Sequence, residues 1–159
     1  MTSNIEVLLQ DIKTHRSFAD LVIRHESLEF AKDLDGALST VCPDPLYTLM
    51  PMRWTIQGMD MLRRFYGALI PILKNFSPGR ESRAVFHGPE GVVFWDRSLE
   101  YRAADGRAIT GSILAVVLRD ANSGLVKGEH AFISDEIADI FRQAVGPELD
   151  RLFTNATKR

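Results

Sequence analysis

The chain has 159 residues, of which 45% are hydrophobic and 25% are charged, and its formal net charge is −2. This composition is that of one soluble domain with a core of its own, and the scattered charges form no basic surface for nucleic acid or an anionic membrane. A lone cysteine, Cys42, excludes an internal disulfide and a CxxC metal site. Residues 1–10 have no signal-peptide pattern and no apolar run is long enough to span a bilayer, so we expect a cytoplasmic protein.

The first half of the chain is predicted to be mainly helical. The predicted helices span residues 4–13, 17–32, 34–41 and 59–75, and two short strands span residues 46–50 and 54–56. Ser17 and Asp33 are the expected N-caps, and Pro71 should kink or end the fourth helix. His25 lies in the middle of the apolar stripe of the second helix, so we expect it to be buried.

The second half is organised around a long hairpin. Two runs of strand-forming residues, 92–101 and 109–118, flank Asp105-Gly106, a pair that suits a tight turn. The return run is apolar on both sides, which predicts cover on both faces or a subunit contact. Gly111 is the expected position of a bend that shapes the hairpin into a cup.

The remaining elements complete an α+β domain. Further predictions are a loop at residues 77–79, strands at 82–87 and 125–133, and a terminal helix from about residue 136 that is interrupted at Gly146-Pro147. We therefore expect one domain over residues 1–159, with a core at about 17–145 and helices packed on one face of a bent antiparallel sheet.

A set of spaced residues between Phe18 and Phe132 points to a known fold family. The set comprises Arg24, Ala31, Asp33-Leu34-Asp35-Gly36, Gly58, Phe65-Tyr66, Ser98, Glu100 and Tyr101. With the order of elements, it resembles the NTF2-like superfamily, which includes ketosteroid isomerases, SnoaL-type polyketide cyclases and scytalone dehydratase. The resemblance implies a cone in which a curved antiparallel sheet is closed by the N-terminal helices.

The isomerase chemistry of that superfamily does not carry over. Ketosteroid isomerases use a strand aspartate as the base, and a tyrosine and a protonated aspartic acid to hold the enolate oxygen. The resemblance places Leu49, His25 and Ala115 at these three positions. Since Leu49 cannot accept a proton and Ala115 cannot donate a hydrogen bond, we exclude steroid isomerisation by this mechanism.

The residues expected inside the cone are aromatic or aliphatic, with a few polar groups among them. The expected catalytic residues are His25 and His130, because imidazole suits proton transfer near neutral pH. The expected ligand-binding residues are Tyr47, Leu49, Phe65, Tyr66, Trp95, Arg97, Leu99, Ala115 and Phe132. The resemblance also implies a hydrogen bond between Tyr66 and His25, and it turns His130 and Phe132 inward.

Structural alternatives stand beside these roles. His25 could be a core histidine with all its hydrogen bonds satisfied, and Arg97 could pair with a carboxylate or lie at a subunit contact. A register shift of one residue would place His130 on the outer surface. The cluster of Glu26, Asp33 and Asp35 is interpreted as helix surface and cap.

The function predicted from these residues is acid–base chemistry on a small molecule. One hypothesis is a cofactor-independent lyase or isomerase, dehydratase- or cyclase-like, acting on a small hydrophobic cyclic or polyketide-like compound. The other is a non-catalytic ligand-binding or dimerisation module. The doubly apolar run at residues 113–118 predicts a homodimer through the sheet in either case. No metal is expected, because the histidines lack HxH or HExxH spacing.

Overall fold

The computed structural model describes residues 4–86 and 92–156, and the elements alternate between helices and strands of one sheet. The elements are α1 (Asn4–Phe30), α2 (Leu34–Ser39), β1 (Val41–Met50), β2 (Trp54–Gln57), α3 (Met59–Leu69), a 3₁₀ helix (Ile70–Asn75), β3 (Phe76–Phe86), β4 (Val92–Arg102), β5 (Ala108–Arg119), β6 (Val126–Ile133) and α4 (Asp135–Ala156).

The six strands form one curved, unclosed sheet in the order β2-β1-β6-β5-β4-β3. The predicted α+β class is therefore confirmed. The sheet is mixed rather than wholly antiparallel, because β1 runs parallel to β6 while the other neighbours are antiparallel. Parallel neighbours need a long connection, and here all the elements from β2 to β5 supply it.

Several element boundaries differ from the predictions. The two expected N-terminal helices are one continuous helix, α1, so Ser17 lies inside a helix instead of capping one. Strand β1 begins at Val41, and the expected loop at residues 77–79 lies in β3. Prolines are tolerated in both strands because the register shifts locally, between Val41 and Leu46 in one and between Pro78 and Glu81 in the other.

Other local signals act as expected. The Asp33 side chain accepts a hydrogen bond from the backbone N–H of Gly36 and so caps α2. Helix α3 ends at Leu69, and the chain continues as a 3₁₀ helix that contains Pro71. Helix α4 is broken at Gly146, whose φ of 74° no helix accommodates.

Two glycines allow neighbouring elements to approach closely, one between the sheet and α4 and the other between two strands. A Cβ on Gly111 would lie 2.3 Å from Ser134 Oγ and 2.5 Å from Ile137 Cγ1, so this glycine lets the start of α4 rest on the sheet. A Cβ on Gly128 would lie 1.8 Å from the backbone oxygen of Leu46. The bare Gly128 therefore allows β1 and β6 to pair with Tyr47 opposite Glu129.

Candidate functional site

The concave face of the sheet and helices α1 and α3 enclose a cavity of about 140 Å³. Most of its lining is aliphatic or aromatic. The polar side chains that line it are His25, Glu26, Glu29, Tyr47, Tyr66, Arg97 and Glu129. An apolar cavity with a few convergent polar groups is typical of a small-molecule site.

One ring nitrogen of His25 is fixed by the C-terminal end of α2. Nδ1 lies 2.5 Å from Thr40 Oγ1 and 3.2 Å from the Ala37 carbonyl oxygen. The Thr40 hydroxyl donates its own proton to the Ala37 carbonyl oxygen at 2.6 Å. Since both neighbours are then acceptors, Nδ1 carries a hydrogen, and a change of protonation takes place at Nε2.

The other ring nitrogen meets an acid and a phenol. His25 Nε2 lies 2.9 Å from Tyr66 Oη and 3.3 Å from Glu29 Oε1, which confirms the predicted bond between His25 and Tyr66. Tyr66 Oη can also donate to Tyr47 Oη, 3.4 Å away. The Nε2 atom of a neutral His25 accepts a hydrogen bond from the Tyr66 hydroxyl, whereas a protonated His25 pairs with the Glu29 carboxylate.

The ionisation of these groups follows from burial and from the neighbouring acids. Burial is the largest single effect and lowers the pKa of His25, but the charge and hydrogen bond of Glu29, with smaller contributions from Glu129 and a backbone carbonyl, together raise the pKa overall. Burial raises the pKa of Tyr47 and Tyr66 well above the ordinary value. Both tyrosines therefore keep their hydroxyl protons and act as hydrogen-bond donors.

Glu129, on β6, is a half-buried acid that lines the same cavity. Its carboxyl makes no hydrogen bond and no ion pair with the part of the chain that the structure describes. Burial and then the nearby Glu29 carboxylate raise the pKa of Glu129 to about 7, against smaller opposing effects of His25 and Arg97. This carboxyl can hold or release a proton at neutral pH.

Arg97 of β4 forms an ion pair with Glu26 of α1. The two side chains are only 11% and 19% exposed, so the pair is largely shielded from water. This is the carboxylate-paired alternative considered for Arg97, and it ties the long helix to the hairpin. Because Arg97 also lines the cavity, its positive charge contributes to the electrostatic potential in the cavity.

The predicted inward orientation of His130 and Phe132 is wrong. His130 Nδ1 lies 2.6 Å from Thr48 Oγ1, Phe132 is 56% exposed, and neither residue lines the cavity. The inward residues of β6 are Glu129, Ala131 and Ile133. The prediction was one residue out of register, and in a strand such a shift exchanges the two faces.

Most of the other expected residues surround the cavity. Those that line it are Tyr47, Leu49, Phe65, Tyr66, Arg97, Leu99 and Ala115. The backbone of Trp95 pairs with Ala115, but its side chain lies outside the described part of the structure.

Sequence reasoning missed the three acids of the site. Glu29 follows His25 by four residues, a helical spacing that could have signalled the contact. Glu26 was interpreted as helix surface, whereas it pairs with Arg97 at the cavity. The signal for Glu129 was its alternation with Ala131 and Ile133, which becomes readable only when the register of β6 is known.

The described residues show neither a metal site nor a membrane span. No group of three or more His, Cys, Asp and Glu side chains within residues 4–86 and 92–156 is placed to hold a metal ion. No helix within the same ranges is long and apolar enough to cross a bilayer.

No protein-family model and no curated protein matches the chain, but solved structures do. SalBIII, an epoxide hydrolase/cyclase-like enzyme with a role in pyran ring formation in polyether salinomycin, superposes with a TM-score of 0.62 at 10% identity, over 76% of this chain and 92% of its own. PrhC from Penicillium brasilianum superposes with a TM-score of 0.60 at 10% identity, over 90% of this chain and 97% of its own. An NTF2-like protein of unknown function from Cytophaga hutchinsonii superposes with a TM-score of 0.55 at 12% identity, over 77% of this chain and 97% of its own. The fold of this chain is the NTF2-like fold.

Proposed function

We propose that the protein is a cofactor-independent lyase or isomerase, dehydratase- or cyclase-like, that moves a proton on a small hydrophobic cyclic compound. One observation carries the proposal: His25 presents Nε2 at an apolar cavity, between a carboxylate and a phenol. Acid–base catalysis needs a group that exchanges protons near neutral pH within reach of the substrate. His25 meets this requirement, and its second nitrogen is already fixed by Thr40.

The neighbours of His25 suit the two protonation states of a catalytic cycle. When Nε2 removes a proton from a substrate carbon, the C–H bond breaks and its electron pair stays on the substrate as an enolate. The Glu29 carboxylate, 3.3 Å from Nε2, stabilises the imidazolium that forms. The proton can then return to another substrate atom or leave with a departing hydroxyl group as water.

The size of the cavity limits the substrate. The cavity holds about 140 Å³, and an apolar cavity of about 150 Å³ in another protein accommodates benzene. We therefore propose that one ring enters the cavity, while any longer polyketide-like chain extends from its mouth. Ring formation by the similarly folded SalBIII gives a precedent for such chemistry on this fold.

Deuterium exchange into cyclohexanone tests the role of His25 without knowledge of the natural substrate. In D₂O the wild-type protein should accelerate the loss of the α-proton signals, because Nε2 can remove a proton next to the carbonyl. The protein-dependent exchange rate, followed by ¹H NMR, should fall roughly a hundredfold in His25→Gln. His130→Gln is the matched control, since His130 lies on the outer face, and its rate should stay within about twofold of wild type.

Two outcomes would contradict this role. Equal exchange rates in wild type and His25→Gln would show that another group is the base, and equal loss in both histidine variants would show that the effect is not local. Glu29→Gln is a second variant that tests the role if His25→Gln does not fold. It should leave the fold intact, as circular dichroism would show, and lower both the exchange rate and the pKa of His25.

A ligand-binding module without turnover is the second candidate. It is favoured by the hydrogen bonds of His25, which are all satisfied within the protein, by Thr40 at Nδ1 and by Tyr66 and Glu29 at Nε2. Leu49 and Ala115, which line the cavity, add no acid–base group. Binding of cyclohexanone with no exchange above the protein-free rate would favour this candidate.

We also propose that two copies of the chain pair through the outer face of the sheet. Leu46, Met50 and Phe132 are 40%, 42% and 56% exposed, and the β1–β6 register brings Met50 beside Phe132. A second copy packed there would remove these apolar side chains from water. Sedimentation equilibrium should give twice 17.9 kDa for wild type and 17.9 kDa for Phe132→Glu, whereas one mass for both proteins would contradict the proposed face.

A further inference from the structure

Glu129 is the polar group of the cavity that the proposed chemistry of His25 leaves unused. Its side chain lines the cavity, yet none of the described residues donates a hydrogen bond to the carboxyl or forms an ion pair with it. Buried polar groups nearly always have a partner, and one that faces a cavity without a partner within the protein is suited to meet a ligand.

Among the described residues, the charges that line the cavity do not balance. Glu26 of α1 pairs with Arg97 of β4, and Glu29 of α1 pairs with His25 when the ring is protonated. Glu129 of β6 is then a third acid, whereas the described lining contains only two cations. Even a half-buried carboxylate without a counterion is unfavourable, so Glu129 either keeps its proton or meets a cation that the ligand brings.

The other groups of the cavity favour the proton. Arg97 and protonated His25 line the cavity, but each is neutralised by its paired carboxylate on α1, which also lines the cavity. Apart from Glu129, the remaining polar groups, Tyr47 of β1 and Tyr66 of α3, are neutral hydroxyl donors, and the rest of the lining is mostly apolar. A neutral ligand with an oxygen acceptor therefore fits these surroundings better than an amine does.

We propose that Glu129 is a ligand-contacting residue whose protonated carboxyl donates a hydrogen bond to an oxygen of a neutral, single-ring compound, such as a cyclic ketone or ether. This inference deepens the proposed function, since it concerns the same cavity and names the substrate class. During proton abstraction by His25, the Glu129 O–H would stabilise the oxygen on which negative charge develops. If the proton passes over completely, the O–H bond of Glu129 breaks, an enol O–H forms, and Glu129 is left as a carboxylate beside protonated His25.

Binding of three six-membered probes of similar size tests the proposal without turnover. The probes are cyclohexanone, which has an acceptor oxygen, cyclohexane, which has none, and cyclohexylamine, which is a cation at the pH used. At pH 6, ligand-observed NMR should show that Glu129→Leu weakens cyclohexanone binding roughly five- to tenfold, the value of a single hydrogen bond. Cyclohexane binding should change by less than about twofold, because the apolar lining is intact.

Glu129→Gln is the matched variant, since its amide still donates a hydrogen bond but cannot ionise. The wild type should bind cyclohexanone more weakly at pH 8 than at pH 6, because its carboxyl loses the donated proton in this range. Glu129→Gln should show a clearly smaller change, because only His25 of the described lining then titrates in the cavity. Equal cyclohexanone affinity in wild type and Glu129→Leu would overturn the proposal. So would a preference of the wild type for cyclohexylammonium that Glu129→Leu abolishes, since Glu129 would then be an ionised acceptor for a cation.

The binding test addresses Glu129 and the exchange test addresses His25, so a negative result in one leaves the other proposal standing. If the ketone preference is present but His25→Gln exchanges as fast as wild type, Glu129 contacts the ligand and the proposed catalytic role of His25 is wrong. If exchange depends on His25 but the ketone preference does not depend on Glu129, only the inference about Glu129 falls.

Discussion

Replacing Glu129 by Gln should stabilise the protein at pH 8 and leave its stability nearly unchanged at pH 4.5. The carboxyl of Glu129 has its pKa raised from 4.5 to about 7 in the folded protein, mainly by burial. Below pH 4.5 it is protonated in the folded and the unfolded chain alike. Between pH 4.5 and 7 only the folded chain holds the proton, so the free energy of unfolding falls as the pH rises.

The size of this effect follows from the shift in pKa. The shift from 4.5 to about 7 corresponds to about 3.4 kcal/mol at most, and we expect on the order of 2 kcal/mol because water reaches a half-buried carboxyl. Urea unfolding at pH 4.5, 6 and 8 measures it. Glu148→Gln, which removes an exposed acid paired with Arg64, should keep the wild-type profile. A parallel pH profile for wild type and Glu129→Gln would contradict the raised pKa.

Replacing Gly128 by Ala should cost about 3 kcal/mol of folding stability, or roughly 10 °C in Tm. The new Cβ would lie 1.8 Å from the backbone oxygen of Leu46 and 2.7 Å from its carbonyl carbon. Neither atom belongs to a flexible side chain, so β1 and β6 must move apart. The pairing of Tyr47 with Glu129 depends on this contact, and the pH dependence due to Glu129 should weaken with it.

Gly67→Ala is the control for this substitution. Gly67 is exposed in α3, and a Cβ there would meet nothing within 4 Å. Because alanine is favoured over glycine in a helix by about 1 kcal/mol, the control should raise Tm slightly while Gly128→Ala lowers it. Similar Tm values for the two variants would show that β1 and β6 are not in close contact at Gly128.

Local patterns in the sequence were sufficient for the fold and for half of the site. The two long runs around Asp105-Gly106 pair as β4 and β5, as predicted, and Asp33 and Gly146 end or cap helices as their residue types suggest. His25 could be placed in the core because the apolar stripe of a helix is periodic over many residues. The fold resemblance then correctly placed Tyr66 beside it.

The missing half of the site depended on contacts between distant segments. The inward face of β6 is decided by its pairing with β1, about eighty residues earlier in the chain. Each face of this short strand carries one polar and one apolar residue, Glu129 with Ala131 and His130 with Phe132. The polarity pattern therefore does not indicate which face points inward. The raised pKa of Glu129 follows from burial beside Glu29, which only the folded chain establishes.

A titration of the Glu129 side-chain carboxyl carbon by ¹³C NMR, assigned by its absence in Glu129→Gln, tests the central claim most directly. Because this acid faces the apolar cavity and pairs with no described cation, the expected midpoint is near pH 7. A lower midpoint is expected in Glu29→Gln, in which the neighbouring negative charge is removed. A midpoint near 4.5, the ordinary value for a glutamate in water, would contradict the account.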